Sequence, residues 1–385
     1  MEVIADEQLV PSPAIRFNTL LPLFSFEPAI VKKNGLIMKN KHYARVLFLL
    51  ISLLLTSMQR SAAQRTQIRG FADISTFYQK GKINFGFGEE DLFITSEITQ
   101  RLSFLGETIF KYSPDSPTDF NISIERIILK YNYWGNHSVL IGKHHTPINY
   151  WNDTYHHGKV FFPTVDRPLL FAEGFIPLHT TGISLQGQNL GRLRFGYNAM
   201  LGNGLGSGDA EDNNMFKSVT LAVHVKPSDG LRLGASLYHD VISKGSTIQN
   251  HTTGINTIAL SRINQDIMTA SVYYNDSIFS KKFELLVESS MAVNKSDSLG
   301  AQRALASYAY AGLRITDKVI PYVRVDDIRY SNKEVYFLDN NTRSFVGGVR
   351  YELSYLAVFK LEYQHVKTRM YNNSDNIIFQ VAVGF

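Results

Sequence analysis

The chain ends on Ile377-Ile378-Phe379-Gln380-Val381-Ala382-Val383-Gly384-Phe385, with Ile377, Phe379, Val381, Val383 and Phe385 apolar at every second position. Gln380, Ala382 and Gly384, between them, are polar or small. In an extended strand this period of two gives one apolar face and one polar or small face. Free chain ends ordinarily fray into water, so an apolar row that runs to the last residue predicts a strand with one face against lipid. The same alternation recurs upstream. In Leu231-Arg232-Leu233-Gly234-Ala235-Ser236-Leu237 the odd positions are apolar, and Phe359, Leu361 and Tyr363 alternate with Lys360, Glu362 and Gln364.

Read this way, the chain from residue 64 onward is a series of alternating segments with no helical period sustained over three turns. Strands are predicted at 66–79, 91–99, 102–112, 120–133, 137–148, 181–190, 192–202, 217–227, 231–242, 268–275, 282–293, 303–315, 319–330, 343–353, 357–369 and 377–385. Short turns join alternate pairs, as at Gly135-Asn136, Gly191, Asp229-Gly230 and Asp317-Lys318, and Asp-Gly between alternating runs is a strong hairpin signal. The remaining connections are longer and polar, among them a Gly-rich stretch at 80–90 and a segment at 149–179. The expected fold is all-β: a transmembrane antiparallel β-barrel of about 16 strands, with 14 to 18 compatible with the weak region 243–265, and with N- and C-termini periplasmic. A soluble β-sandwich or propeller is the competing architecture, but it does not need outward Phe, Tyr and Leu on every strand.

The N-terminus reads differently. Met38 to Arg45 is basic, Val46 to Leu55 is apolar but too short to span a bilayer as a helix, and Ser61-Ala62-Ala63 offers small residues for cleavage. Residues 38–63 are therefore expected to be a signal peptide, residues 1–37 an over-extended N-terminus, and 64–385 the barrel. Residues 1–63 carry seven bases and four acids, so the net charge of +5 falls to +2 without them, and the basic balance does not point to nucleic acid. A mean hydropathy of −0.10 argues against a helical membrane protein and suits a barrel whose strands turn one face to a polar lumen. There is no Cys, hence no disulfide framework and no thiolate site.

The alternation assigns lumenal charges. The bases are Arg69, Arg126, Lys130, Arg192, Arg194, Arg232, Arg314, Arg324, Arg350 and Lys360; the acids are Asp73, Glu97, Glu107, Glu284, Glu288, Asp326, Glu352 and Glu362. Mixed signs with a mild basic excess suit a water-filled channel, although pairing across neighbouring strands is the simpler fate of any one of them. The segment 149–179 holds Tyr150-Trp151, Phe161-Phe162-Pro163 and Pro177, too apolar for a solvated loop. Folded into the mouth it would constrict the pore through His156, His157, Lys159 and Arg167. His144, His145, His156 and His157 lack a carboxylate at helical spacing, so no metal or other cofactor is expected there, and Asp209, Glu211 and Asp212 read as a solvated loop rather than a Ca²⁺ site. No catalytic residues are expected: His239 with Asp240, or His179 with Ser184, has no recognisable nucleophile context.

Asp91-Leu92-Phe93-Ile94, Arg101 to Glu107, Ile141 to Ile148, Tyr155 to Gly158 and Asp166-Arg167-Pro168 resemble Bacteroidetes outer-membrane porins, distant relatives of the phosphate-selective O/P-type porins. The resemblance covers most of 64–385 and is sharpest over its first third. It implies a channel in the bacterial outer membrane, assembled as a homotrimer. The lysine-rich constriction of the phosphate channels is not matched, because Lys159 and Arg167 are the only bases between Asn149 and His179. The expected function is passive diffusion of small hydrophilic solutes with a mild anion preference; a substrate-specific anion channel and a non-conducting structural, adhesin or enzymatic barrel are the alternatives. The expected partners are outer-membrane lipid and lipopolysaccharide, other copies of the chain, and a barrel-assembly machinery for which Phe385 is a recognition element.

Overall fold

The computed structural model describes residues 65–113, 118–155, 158–172, 174–204, 212, 214–249, 256–278, 281–337, 341–369 and 373–385. The proposed leader and signal peptide, His156, His157, Asp209 and Glu211 lie outside the described residues. Within 65–385 the first nine strands are β1 (Arg65–Gln79), β2 (Lys82–Glu97), β3 (Leu102–Tyr112), β4 (Phe120–Trp134), β5 (His137–His145), β6 (His179–Leu190), β7 (Phe195–Gly202), β8 (Ser218–Ser228) and β9 (Leu231–Ile242). After a small separate hairpin, β10 (Thr247–Gln249) with β11 (Asn256–Ile258), come β12 (Ile263–Ile278), β13 (Lys281–Ser296), β14 (Gly300–Leu313), β15 (Val319–Tyr330), β16 (Thr342–Ser354), β17 (Ala357–Thr368) and β18 (Ser374–Gly384).

Apart from that hairpin, the strands pair antiparallel with their sequence neighbours, and β18 pairs with β1, closing a barrel of sixteen strands. Closure gives every barrel strand a neighbour on each side, as a wall facing lipid requires. One end carries the short connections at 98–101, 135–136, 191–194, 229–230, 314–318 and 355–356 together with both barrel termini. The longer connections, 113–119, 146–178, 203–217, 243–262, 331–341 and 369–373, gather at the other end.

The alternation assigned the faces correctly on the closing strands. Ile378, Gln380 and Ala382 of β18 are buried in the lumen, whereas Ile377, Phe379 and Val383 face out. Lys360, Glu362 and Gln364 turn inward on β17, and Leu361 and Tyr363 outward. An apolar belt, with Ile141, Leu185, Leu221, Leu237, Met268, Val323 and Val349 in it, runs round the outside.

One expectation needs correction. The Gly-rich stretch 80–90 is not an outer loop: Lys80 and Gly81, with φ of 49° and 79°, make a two-residue turn, and Lys82 already begins β2. Gly88 belongs there because a Cβ would lie 2.0 Å from the inward Asp73 carboxylate. In the weak region 243–265 the short strands β10 and β11 pair with each other and add no strand to the barrel.

The seam closes on the last residue. Phe385 N–H donates to Gly70 C=O and Gly70 N–H to Phe385 C=O, both at 2.8 Å. The Phe385 ring lies over Gly70, where a Cβ would meet ring carbon at 2.3 Å. Gly70→Ala should therefore displace the ring and weaken the seam by about 1–3 kcal/mol. The expected outcome is a folded barrel whose compact form on an unheated gel is lost at a lower temperature than that of wild type; unchanged thermal stability would show that the ring is free to move.

Candidate functional site

The connection from β5 to β6, residues 146–178, runs inside the barrel. It contains two short helices, α1 (Tyr150–Thr154) and α2 (Leu169–Ala172). Ile148, Trp151, Phe162, Phe171, Phe175 and Ile176 are buried in one cluster with the inward Tyr238, Tyr308, Tyr310 and Tyr322 of the wall. The β15–β16 connection joins them: Phe337 stacks on Phe175 at 4.8 Å between ring centroids. The aromatic content of this segment is the physical reason it leaves water for the lumen.

An irregular chain buried in a lumen carries backbone N–H and C=O groups that need partners. The wall supplies them by charge type. Carboxylates take the donors: Glu288 accepts from Tyr150 N–H and, at 3.1 Å, Trp151 N–H; Glu362 accepts from Val165 N–H at 2.9 Å; Asp326 accepts from Leu169 N–H at 3.1 Å. Cations take the acceptors. Lys360 Nζ donates to Lys159 C=O at 2.6 Å, Thr164 C=O at 3.0 Å and Gln380 Oε1 at 3.1 Å, which uses all three ammonium protons. Arg324 donates to Thr164 Oγ1 at 2.5 Å and to Asp166 C=O at 2.7 Å, and Arg350 reaches Pro163 C=O at 3.4 Å.

These bonds revise the wall inferred from alternation. Arg324, Arg350, Lys360 and Glu362 point inward, but most of their capacity is spent holding the loop rather than lining open water. Arg350 also pairs with Glu284 at 2.8 Å and Glu352 at 3.0 Å, and Arg314, in the β14–β15 turn, with Glu352 at 2.8 Å. Glu107 and Arg126 form a buried ion pair, and Lys130 is half-buried on the same strand face as Arg126. Arg232 lies 4.7 Å over the Tyr150 ring and 3.3 Å from Asp153, beneath α1. Arg194 is not on the wall: with φ of 46° it sits in the β6–β7 turn at the barrel end, 2.6 Å from Asp229.

The loop leaves part of the lumen open. A cavity of about 660 Å³ lies there, bounded by Glu89, Lys111, Ser123 and Glu125 of β2–β4 and His179 of β6, by Lys159, Phe162, Asp166, Arg167 and Leu169 of the loop, and by Arg324, Ser344 and Gln364 of β15–β17. Beneath α1, against Arg232 and His224, the space is only about 30 Å³. In the larger cavity Lys111 lies 3.2 Å from Glu89, and Glu125 lies 3.0 Å from His179 Nε2. Burial alone would lower the Lys159 pKa, but Asp73, 3.4 Å away, with Asp166 and Glu89, outweighs it and raises it. Arg167 lies 5.9 Å from the Phe162 centroid, and among the described residues it forms no ion pair.

Glu89 and Glu125 were missed in the sequence. Glu89 fell in the stretch read as a loop, and Glu125 precedes the inward Arg126 at a bulge that turns both toward the lumen, which strict alternation forbids. The adjacent pair Glu125-Arg126 was the available signal. Neither pair considered for catalysis is assembled: His239 is exposed and bonds Asp266 at 2.7 Å while Asp240 is buried, and Ser184 bonds Asn198. Of the histidines considered for a metal, His145 packs 5.3 Å from His179, and Asp212 pairs with Lys217.

Comparison with known structures decides the architecture. The fold is that of the outer-membrane porins. OmpT, an outer membrane protein of Vibrio cholerae, superposes in a loop L8 deletion form with TM-score 0.60 at 14% identity, covering 84% of this chain and 100% of that one. An anion-selective porin from Comamonas acidovorans matches with TM-score 0.60 at 12% identity over 84% and 100%. The outer membrane channel DcaP of Acinetobacter baumannii matches at 0.56 and 9% identity over 85% and 99%. No protein-family model and no curated protein matches the chain. At such identities the likeness is one of fold, and with the apolar belt it places the barrel in an outer membrane.

Replacing Lys360 by Met leaves two buried loop carbonyls without a donor, at a cost of roughly 1–3 kcal/mol each if water cannot reach them. Lys360→Met should keep the barrel but loosen the loop, exposing the Lys159–Val160 bond to trypsin. Equal resistance in wild type and variant would show that the loop is held by its aromatic packing alone.

Proposed function

We propose that this protein is an outer-membrane channel through which small hydrophilic solutes diffuse passively, with a mild preference for anions. The observation that carries the reading is the polar cavity of about 660 Å³ between the inserted loop and the wall strands β2–β4, β6 and β15–β17. Its lining holds Lys111, Lys159, Arg167 and Arg324 against Glu89, Glu125 and Asp166, an excess of one positive charge. The loop provides the constriction, through Lys159 and Arg167; His156 and His157 are kept in that role as part of the proposal. The barrel termini and short turns lie on the periplasmic side, with the longer connections outside. Fold alone does not separate a channel from a barrel enzyme; the mixed-charge cavity supports the channel.

The anion-selective porin among the structural matches supports the preference, and the trimer form in which OmpT of Vibrio cholerae is solved supports a homotrimer. Phosphate selectivity and a Bacteroidetes origin are not part of the proposal. Phe385 is proposed as a recognition element for the assembly machinery: deleting it should lower outer-membrane yield, whereas Gly70→Ala, which disturbs the same seam with the aromatic end intact, should not. Equal losses would reduce Phe385 to a seam residue.

A unit charge about 8 Å from a passing ion is worth roughly 0.5 kcal/mol in water, about a twofold change in relative permeability. Reversal potentials across a planar bilayer in a KCl gradient should therefore show chloride preferred, and Arg167→Ala should reduce the ratio about twofold at an ionic strength of about 0.1 M. A wild-type barrel that conducts but prefers potassium removes the anion clause. One that never conducts removes the channel and leaves a plugged structural barrel.

A further inference from the structure

At the barrel end that carries the longer connections, four consecutive strands each turn a base outward. Arg303 of β14, Arg329 of β15, Arg343 of β16 and Lys367 of β17 are exposed between buried or half-buried neighbours. Arg343 lies directly opposite Lys367 across β16–β17 and opposite Asp327 across β15–β16. Arg329 is two residues beyond Asp327 on the same face and opposite Leu305, and Arg303 is two residues beyond Leu305. The four bases therefore form one row, about 14 Å wide at the ordinary spacing of strands.

Asp327 is the acid set among them. Arg329 Nε lies 2.6 Å from it, and Arg343 Nε and Nη2 lie 2.9 and 2.8 Å from it. The carboxylate thus fixes two guanidinium groups side by side, yet leaves their side chains 62% and 48% exposed, with N–H groups to spare. Among the described residues Arg303 and Lys367 form no ion pair. The next outward acid, Asp375 of β18, is held by Tyr363 at 2.6 Å and His365 at 2.8 Å. One step nearer the middle of the barrel on the same face, Leu305, Val325 and Phe345 are exposed and apolar.

A base is costly in hydrocarbon, so the row marks the level where the apolar belt gives way to lipid headgroups, with the Arg and Lys stems lying along the belt. A ligand that meets row and belt together carries anionic oxygens above acyl chains. Phosphate suits the anionic part, because it accepts the forked N–H pairs of Arg and the point charge of Lys. One phosphodiester would meet only one or two of the bases; the width of the row fits a headgroup with more than one phosphate. We propose that the rim of β14–β17 binds the phosphorylated sugar headgroup of lipopolysaccharide, with acyl chains on Leu305, Val325 and Phe345. The proposal rests on the reading that the longer connections lie outside, and it does not depend on conduction.

The test titrates delipidated barrels in detergent with bis-phosphorylated lipid A, followed by native mass spectrometry. Wild type should bind it saturably. Arg329→Gln with Arg343→Gln and Lys367→Gln should bind roughly a hundredfold more weakly, about fivefold for each base lost. Lys80→Gln with Lys82→Gln, at the β1–β2 turn, should bind like wild type. Dephosphorylated lipid A and phosphatidylglycerol should bind wild type more weakly, and inorganic phosphate should not displace lipid A. Equal affinity of wild type and triple variant, or of lipid A with and without its phosphates, overturns the proposal. So does displacement by inorganic phosphate, which would make this a free-anion site, or equal binding of phosphatidylglycerol, which would make it a phospholipid site. If the triple variant does not fold, Arg343→Gln and Lys367→Gln singly should each cost about fivefold, and no loss in either overturns the proposal. Orientation is read separately in a chain with no native Cys: Lys333→Cys, in the adjoining connection, should react with an impermeant thiol reagent on whole cells. A silent Lys333→Cys would place this rim in the periplasm and remove lipopolysaccharide as its ligand. A barrel that binds lipid A here but never conducts keeps this site and loses the channel.

Discussion

The structure depends on a set of buried charges that meet a backbone as well as one another. Residues 146–178 bring unpaired N–H and C=O groups into the lumen, and the wall answers each kind with the opposite partner. Glu288, Glu362 and Asp326 accept from amides, whereas Lys360, Arg324 and Arg350 donate to carbonyls. Taking a charge out of water is costly unless its hydrogen-bonding capacity is met. Lys360 shows how completely it can be met: two loop carbonyls and the Gln380 amide occupy its three protons. The loop and the wall are therefore one polar network, with the aromatic cluster around Trp151 filling the space between.

That network decides where water can go. The loop's amides and carbonyls are met by β13 and β15–β17, and the open lumen lies where Glu89, Lys111, Glu125 and His179 face Lys159 and Arg167, with Arg324, Ser344 and Gln364 also in its wall. Arg324 thus both anchors the loop and borders the open space. On the outside, charged pairs lie on β9, β12 and β15–β18, and exposed aromatic rings on β2–β4.

Much of this was legible in the sequence, for a physical reason. A strand between lipid and a polar lumen must alternate, so the faces of Leu361, Lys360 and Glu362 and the terminal row ending on Phe385 could be read directly. Short turns carry Gly and Asp signals, which made the two ends distinguishable and brought the strand number to sixteen. What alternation cannot say is what covers an inward residue. Arg350 and Lys360 looked like pore wall because nothing local marks a carbonyl contributed by a loop roughly two hundred residues away in sequence. Bulges defeat it too: Glu125 beside Arg126, and the Gly-rich start of β2, break the period at the points where the cavity lining begins. The closing strand gained most from the structure. Its polar row is not mere lumen surface, since Gln380 links Lys360 to Asp73 and so ties the seam to the loop's anchor.

The central claim, that solutes pass through the cavity beside Glu89, Lys111 and Glu125 and not beneath the loop, has a direct test because the chain has no Cys. Ser123→Cys faces the open cavity, and Ser290→Cys lies under the loop, where Ser290 bonds Asn149. Current through each single barrel would be recorded while a charged thiol reagent is added. The account predicts a stepwise fall in current for Ser123→Cys and none for Ser290→Cys; modification at 290 with 123 silent would place the passage on the other side of the loop and contradict it.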